Sequence, residues 1–260
     1  MFKIKKTFLI PLIFLCIGSS SLAQEINNNV SIDSVNVDEN KNIKFNYKQL
    51  VIPAVLIGYG VWATDNDQLE FVNSKINKNL TLDIDDKITI DDFSQYTPLA
   101  TLLGLEAFGI KGKNDFKDKT VISATSYLIM GIAVNSIKIT AHVQRPDSTN
   151  VKSFPSGHTA TAFMGAELLH QEYKDVSLLY SFSGYFVASA TGIFRLYNNK
   201  HWFSDIITGA GIGILSAKAG YWLYPTVSKL FTNKKESNTK TSFIPYYDGK
   251  MTGFGLVSTF

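Results

Sequence analysis

Cysteine is almost missing from this chain. Cys16 is the one cysteine in 260 residues, and it lies inside an N-terminal apolar stretch. Lys3, Lys5 and Lys6 precede that stretch, residues 8–18 form it, and Ser21-Leu22-Ala23 offers a small-x-small cleavage site before Gln24. This pattern predicts a secretory signal over residues 1–23; an uncleaved membrane anchor is the other reading. Leu15, not a small residue, precedes Cys16, which argues against a lipoprotein site. With the signal removed no cysteine remains, so disulfide and thiolate chemistry are excluded even in an oxidising compartment.

Charge imbalance is missing too. The formal net charge is +3, and no long basic run appears beyond the N-terminus, so nucleic acid is not an expected partner. The mean hydropathy is only +0.04, low for a chain that crosses a bilayer many times. No internal repeat is visible. What the chain does have is enough apolar residues, 45%, for a sizeable core.

Residues 24–92 read as a leader containing one apolar segment, 49–64, which is short for a membrane span. Residues 65–92 read as a polar loop, and Asp83, Asp85 and Asp86 within it as a solvated cluster rather than a metal site. A core follows over 93–230. Helical patterns cover 93–110, 120–137, 159–173, 176–194 and 204–224, with 111–119 as a charged connection. The last segment is rich in Gly and Ala, which lets helices approach closely, and Pro225 is expected to end it. Residues 231–260 read as a polar linker and a tail. That tail, "SFIPYYDGKMTGFGLVSTF", has two strand-like runs around Asp248-Gly249, a hairpin signal. Its terminal aromatic resembles an outer-membrane strand, but two strands cannot close a barrel, so a surface hairpin is expected.

Three clusters carry chemistry. Lys138 is followed seven residues on by Arg145-Pro146. That spacing is close to two helical turns, which would put both cations on one face; they then need an anion, or they are a solvated cationic face. A residue before proline tends to leave the helical region, which places Arg145 at a helix end. The second cluster is Pro155-Ser156-Gly157-His158. Ser156 is a good N-cap, Gly157 permits close backbone approach, and the helix start favours an anion. A histidine there can donate a proton to a leaving oxygen; the alternative is an ordinary capped helix with a surface histidine. The third cluster is Arg195, His201 and Asp205. If a helix starts near His201, Asp205 can fix its tautomer and leave the other ring nitrogen free as a nucleophile. Arg195 adds a planar donor for phosphate oxygens. On spacing alone, a structural ion pair fits equally well.

In this order, Lys-x6-Arg-Pro, Pro-Ser-Gly-His and Arg-x5-His-x3-Asp resemble the three-part signature of the type 2 phosphatidic acid phosphatase superfamily, whose relatives include bacterial acid phosphatases and vanadium haloperoxidases. The resemblance covers roughly residues 93–225. It departs at Phe194, where the family usually has Ser before the arginine, so one hydrogen bond to phosphate is expected to be lost. The resemblance implies an all-α bundle of about six helices with a short hairpin-like tail. It also implies a phosphatase without metal or cofactor. His201 would form a phosphohistidine, Asp205 would hold its ring, and His158 would protonate the leaving alcohol. Lys138, Arg145, Ser156, Gly157 and Arg195 would bind the phosphate oxygens. No carboxylate cluster at ligand spacing stands near these motifs, in keeping with that. Of the remaining groups, His142 sits four residues after Lys138, but the family pattern leaves its position free and it is not expected in the site; His170 reads as surface or packing, and Trp202 is expected to pack under the site. Glu106 is either functional or a partnered structural glutamate.

The expected substrate is a lipid-linked phosphate: lipid A, undecaprenyl diphosphate, phosphatidylglycerol phosphate or phosphatidate. A soluble periplasmic acid phosphatase is the alternative, a haloperoxidase a weaker third, and a catalytically silent membrane scaffold a fourth that the intact motifs oppose. If every apolar helix spans, the active site faces the cytoplasm and the lysine-rich 111–119 connection lies outside, against the positive-inside rule. If 49–64 does not span, or if no helix does, that conflict disappears. The expectation is therefore an exported, membrane-associated protein in the cell envelope of a Gram-negative-type bacterium, with its site facing the periplasm.

Overall fold

The computed structural model describes residues 45–64, 66–81, 89–232, 240–247 and 252–259. The expected signal, most of the leader, the Asp83-Asp85-Asp86 cluster, the 233–239 linker and the Asp248-Gly249 turn lie outside the described residues. A short 3-10 turn, Tyr47–Leu50, leads into α1 (Val51–Trp62). There follow α2 (Asp67–Thr81), α3 (Ile90–Ser94), α4 (Thr97–Ala107), α5 (Phe116–Ala141), α6 (Gly157–Tyr173), α7 (Leu178–Tyr197) and α8 (Phe203–Thr232). Strands β1 (Lys240–Tyr247) and β2 (Thr252–Thr259) pair antiparallel, with Lys240 opposite Thr259 and Tyr247 opposite Thr252. The all-α expectation holds for the bundle, and the strand pair forms the hairpin expected of the tail.

α6 runs through the centre, packed against α4, α5, α7 and α8. Its middle is mostly small or apolar, and Ala160, Ala162, Met164, Ala166, Leu168 and Leu169 are fully buried. Leu102 from α4, Ile122, Met130 and Val134 from α5, and Ile212 and Tyr221 from α8 close the core around it. α8 approaches α6 backbone to backbone. A Cβ on Gly213 would fall 2.3 Å from the Ala160 carbonyl oxygen, and one on Gly209 would fall 2.5 Å from that of Ser156. The Gly-rich pattern is thus a packing requirement, and it ties α8 to the start of α6.

Four expectations are corrected. The 65–92 stretch is not a loop throughout, since it holds α2 and the start of α3. α2 is fastened by polar groups: Asn73 Oδ1 accepts from the Ser204 N–H at 3.1 Å, and its Nδ2 donates to Ser204 Oγ at 3.1 Å, which caps the first turn of α8. The 93–110 helix is divided between α3 and α4, where Pro98 at the start of α4 has no N–H to donate back into α3. α5 begins earlier than expected, so Lys119 belongs to a helix and is buried. Pro225 does not end α8, which continues to Thr232; one proline forfeits one backbone bond, and the turns on either side hold.

Candidate active site

His201 lies in the connection between α7 and α8, where Asn199 turns the chain with a left-handed φ of 57°. α8 starts two residues later, at Phe203, and its third residue is Asp205. His201 Nδ1 is 3.2 Å from Asp205 Oδ2, and both side chains are buried. That oxygen also accepts from Ser153 Oγ at 2.5 Å and from the Trp202 N–H at 2.9 Å. Three donors around one carboxylate oxygen fix it as an acceptor, so Nδ1 carries the proton and Nε2 is left with its lone pair. Burial pulls the His201 pKa down to about 4, against the upward pull of Asp205. The ring is therefore neutral at pH 7.

The second motif forms the start of α6. Ser156 is the N-cap: its Oγ accepts from the Thr159 N–H at 3.4 Å and lies 2.9 Å from Thr159 Oγ1. Its own N–H donates to the Asp205 carbonyl at 3.0 Å, which locks the two motifs together. Gly157 opens the helix, with Lys138 Cε 4.0 Å from where its Cβ would be. His158 follows, half-buried, with Nε2 3.0 Å from Asp92 Oδ1. Burial, and then the charge of Arg195, lower its pKa, and the hydrogen bond to Asp92 opposes them.

Lys138 and Arg145 do not share a helical face. α5 ends at Ala141, and His142 breaks it with a left-handed φ of 48°. A folded loop brings Arg145 back instead, through Arg145 N–H to Asn150 O at 3.0 Å and Ser153 N–H to Val143 O at 2.9 Å. Lys138 Nζ holds the same loop, donating to Lys152 O at 2.9 Å and Ser153 O at 3.3 Å. Two further clips pin it to the α7–α8 connection: Lys200 to Asp147 at 2.6 Å, and Trp202 Nε1 to Gln144 O at 2.8 Å. Trp202 thus works as a clip rather than as a floor. The Arg145 pKa is pushed down by burial and then by Arg195, so the two arginines face each other's fields.

Arg195 is buried near the end of α7, and Nη1 donates to Asp91 Oδ2 at 2.5 Å. Asn198 Nδ2 donates to the other oxygen of Asp91 at 2.9 Å. Asp91 itself is 1% exposed. The Nε–H groups of Arg145 and Arg195 are buried and have no partner among the described residues. Two unpaired guanidinium donors beside a neutral imidazole make a seat for an oxyanion.

Asp91, Asp92 and Ser153 are the residues that sequence reasoning missed. Ser153 stands two residues before the proline of the second motif. The acidic pair stands just before the first helical pattern, and nothing in its spacing points to a residue 104 positions away. Asp91, Asp92 and His158 place donor atoms within 4.8 Å of one another, the one such grouping among the described residues. Asp91 is already engaged by Arg195 and Asn198, and Asp92 by His158. A cation there would have to displace a buried guanidinium, so the chemistry is that of an ion-pair cluster. The other histidines stand elsewhere. His142 is exposed with Nδ1 3.2 Å from Thr140 O, and His170 lies 2.6 Å from Ser181 Oγ among Phe182 and Tyr185. Glu106 is partnered, accepting from Lys119 Nζ at 2.6 Å.

Comparison with known proteins adds four findings. A lipid A 1-phosphatase of Porphyromonas gingivalis is 40% identical over 185 residues, which is 64% of this chain and 42% of that protein. The chain thus spans less than half the length of this curated relative. The crystal structure of Aquifex aeolicus LpxE aligns with a TM-score of 0.44 at 22% identity, covering 57% of this chain and 94% of that one. The first transmembrane PAP2 type phosphatidylglycerolphosphate phosphatase from Bacillus subtilis aligns with a TM-score of 0.39 at 17% identity, covering 72% and 98%. The PAP2 superfamily model matches residues 119–229. That span takes in all three motifs and every residue they bring to the seat, so over these residues the chain is similar to the PAP2 superfamily.

Proposed function

We propose that this protein hydrolyses a lipid-linked phosphomonoester without a metal, through a phosphohistidine on His201. The observation that carries the reading is the buried His201–Asp205 pair beside the unpartnered Nε–H groups of Arg145 and Arg195. His201 Nε2 attacks phosphorus, the bond from phosphorus to the ester oxygen breaks, and that oxygen takes a proton from His158. Water then attacks phosphorus, the phosphorus–nitrogen bond breaks, and the proton from water returns to His158. Arg145, Arg195, Lys138 and the N–H of Gly157 hold the equatorial oxygens, where charge builds. Ser156 supports the seat chiefly as the cap of α6, since its hydroxyl is engaged with Thr159.

Lipid A bearing a 1-phosphate is the favoured substrate, by analogy with the Porphyromonas gingivalis relative. The surface supports a lipid substrate. α5 and α8 are long and apolar enough to cross a membrane. On α7, Leu178, Phe182, Phe186 and Ile193 form an exposed apolar stripe. Export and a site facing the periplasm remain part of the proposal. They rest on the N-terminal pattern and on Lys111, Lys113 and Lys117, which follow α4; Lys119 no longer counts toward that loop because Glu106 neutralises it.

The test is inorganic phosphate release by the purified full chain in detergent with EDTA. Lipid A, undecaprenyl diphosphate and phosphatidate are compared with a water-soluble phosphomonoester, using His201→Ala as the blank. Preference for one lipid establishes the lipid phosphatase. Equal or better activity on the soluble ester shows instead a broad-specificity acid phosphatase.

A further inference from the structure

Two carboxylates from α3, outside the matched family span, reach into the seat, and the cations there explain only one of them. Asp91 is buried against Arg195 and Asn198. Asp92 is 54% exposed, lies 3.9 Å from Arg195 Nη1, and has its closest charged contact with His158 Nε2 at 3.0 Å. We propose that Asp92 is a positioning residue, holding the His158 ring by Nε2 and stabilising its charged form so that Nδ1 delivers the proton to the leaving oxygen.

The short helix is fixed well enough to do this. Asp91 anchors it to α7, Ser94 Oγ lies 2.8 Å from Thr191 Oγ1, and Gln95 Nε2 donates to the Asp92 carbonyl at 2.8 Å. The side chain of Asp92 therefore projects from a backbone tied on both sides of it. The arrangement repeats the His201–Asp205 logic with opposite electrostatics. There, a deeply buried pair keeps the ring neutral for attack. Here, a solvent-facing carboxylate meets a half-buried ring whose task requires a proton.

The charged groups facing His158 are few. Asp91 and Asp92 come from α3 and Arg195 from α7. Lys138 of α5 stands beside neighbouring Gly157. Of the helices packed on α6, α4 offers Glu106, bound to Lys119, and α8 offers Asp205, bound to His201, and Lys218, bound to Glu167. Burial and Arg195 both favour the neutral ring, and Asp92 is the group bonded to it that opposes them. With Nε2–H on Asp92, loss of the Nδ1 proton leaves a neutral tautomer whose Nδ1 can accept a proton from water in the second half-reaction. The proton given to the leaving oxygen is thereby recovered from water.

The proposal rests on the phosphatase reading, and two measurements keep the two apart. The first is the pH dependence of kcat/KM for wild type and Asp92→Asn, on nitrophenyl phosphate and on an alkyl phosphate. Each substrate is compared with itself, so its own ionisation cancels. Protonated His158 is the active form, so removing the carboxylate should move the basic limb to lower pH by about half a unit or more. The loss at neutral pH should be larger for the alkyl ester and should shrink in acid. The melting temperature should not move, because Asp92 is exposed. A uniform loss at all pH values, or an unmoved limb, overturns the proposal. So does tighter inhibition by inorganic phosphate with the limb unmoved, which would make Asp92 a competitor of phosphate. The second measurement is NMR titration of the His158 ring, which needs no turnover. A fall in its pKa in Asp92→Asn supports the pairing, and no fall overturns it. If wild type releases phosphate from no ester, the phosphatase reading fails while this titration still decides the pairing.

Discussion

Asp91 Oδ2 and Arg195 Nη1 lie 2.5 Å apart, both buried, and they join α3 to the third motif across 104 positions of sequence. The contact takes one end of the guanidinium and leaves Nε without a partner. Arg195 is therefore oriented by the protein before any ligand arrives. Asp91→Ala would strand a buried cation, at a cost of roughly 3 kcal/mol or more, and would release the fork. The melting temperature should fall and KM should rise severalfold. Asp91→Asn keeps the shape without the charge and should show the KM effect with a smaller thermal loss. An unchanged KM in both variants would remove Asp91 from the phosphate seat.

His201 is expected to be indispensable. Alanine there should abolish turnover and leave the fold intact, and steady residual turnover would exclude it as the nucleophile. Asp205→Asn should lower kcat on the order of a thousandfold by losing the fixed tautomer. The pH sign follows from burial. The ring must be neutral to attack, and its pKa is held at about 4, below the ordinary 6.5. Activity should persist through mildly acidic pH and fall only as the pH approaches 4. Stability should run the same way. Below 6.5 the unfolded chain binds a proton that the folded chain refuses, so stability falls from pH 6.5 down to about 4. An acid limb near 6.5 would contradict the buried neutral ring.

Gly209→Ala and Gly213→Ala should separate packing from chemistry. Both substitutions force a Cβ against an α6 carbonyl, that of Ser156 and that of Ala160 respectively. Each should cost roughly 1–3 kcal/mol of stability. Only the first displaces the cap that sets the Gly157 N–H. At a temperature where both variants are folded, Gly209→Ala should lose far more kcat/KM than Gly213→Ala. Equal losses would show that the α6–α8 contact does not transmit to the seat.

The second motif and the His201–Asp205 pair of the third were legible because each is local: Ser156 caps its own helix, and His201 meets an aspartate four residues on. The five core helices were legible because their buried faces are apolar. α2 was not, because its buried face is made by Asn73, whereas Phe71 points to solvent; a pattern of hydrophobic spacing cannot register an asparagine that caps another helix. The partnership of Asp91 and Arg195 is written only in the tertiary fold. The break at His142 was likewise hidden, since a left-handed histidine carries no spacing signature, and it is the fold of 143–153 that returns Arg145 to Lys138.

Glu106 and Lys119 form a charged pair beside the core. Lys119 is fully buried, 2.6 Å from Glu106 and 3.4 Å from the Tyr173 hydroxyl, with its ammonium 5.1 Å from the Tyr173 ring centroid. It stands near the start of α5, whereas Lys138 stands near the end, about 28 Å along the helix axis. The pair is too far from the seat to touch phosphate, so its effects should be on stability alone. Glu106→Gln should cost roughly 3 kcal/mol, because it leaves a buried ammonium without its counter-charge. Replacing both, as Glu106→Leu with Lys119→Met, removes the unpaired charge and should recover most of that loss, since a buried ion pair exchanged for apolar groups of similar volume is close to neutral. In every variant that stays folded, kcat/KM should remain at the wild-type value. A Glu106→Gln protein that melts normally but turns over slowly would assign Glu106 to function instead.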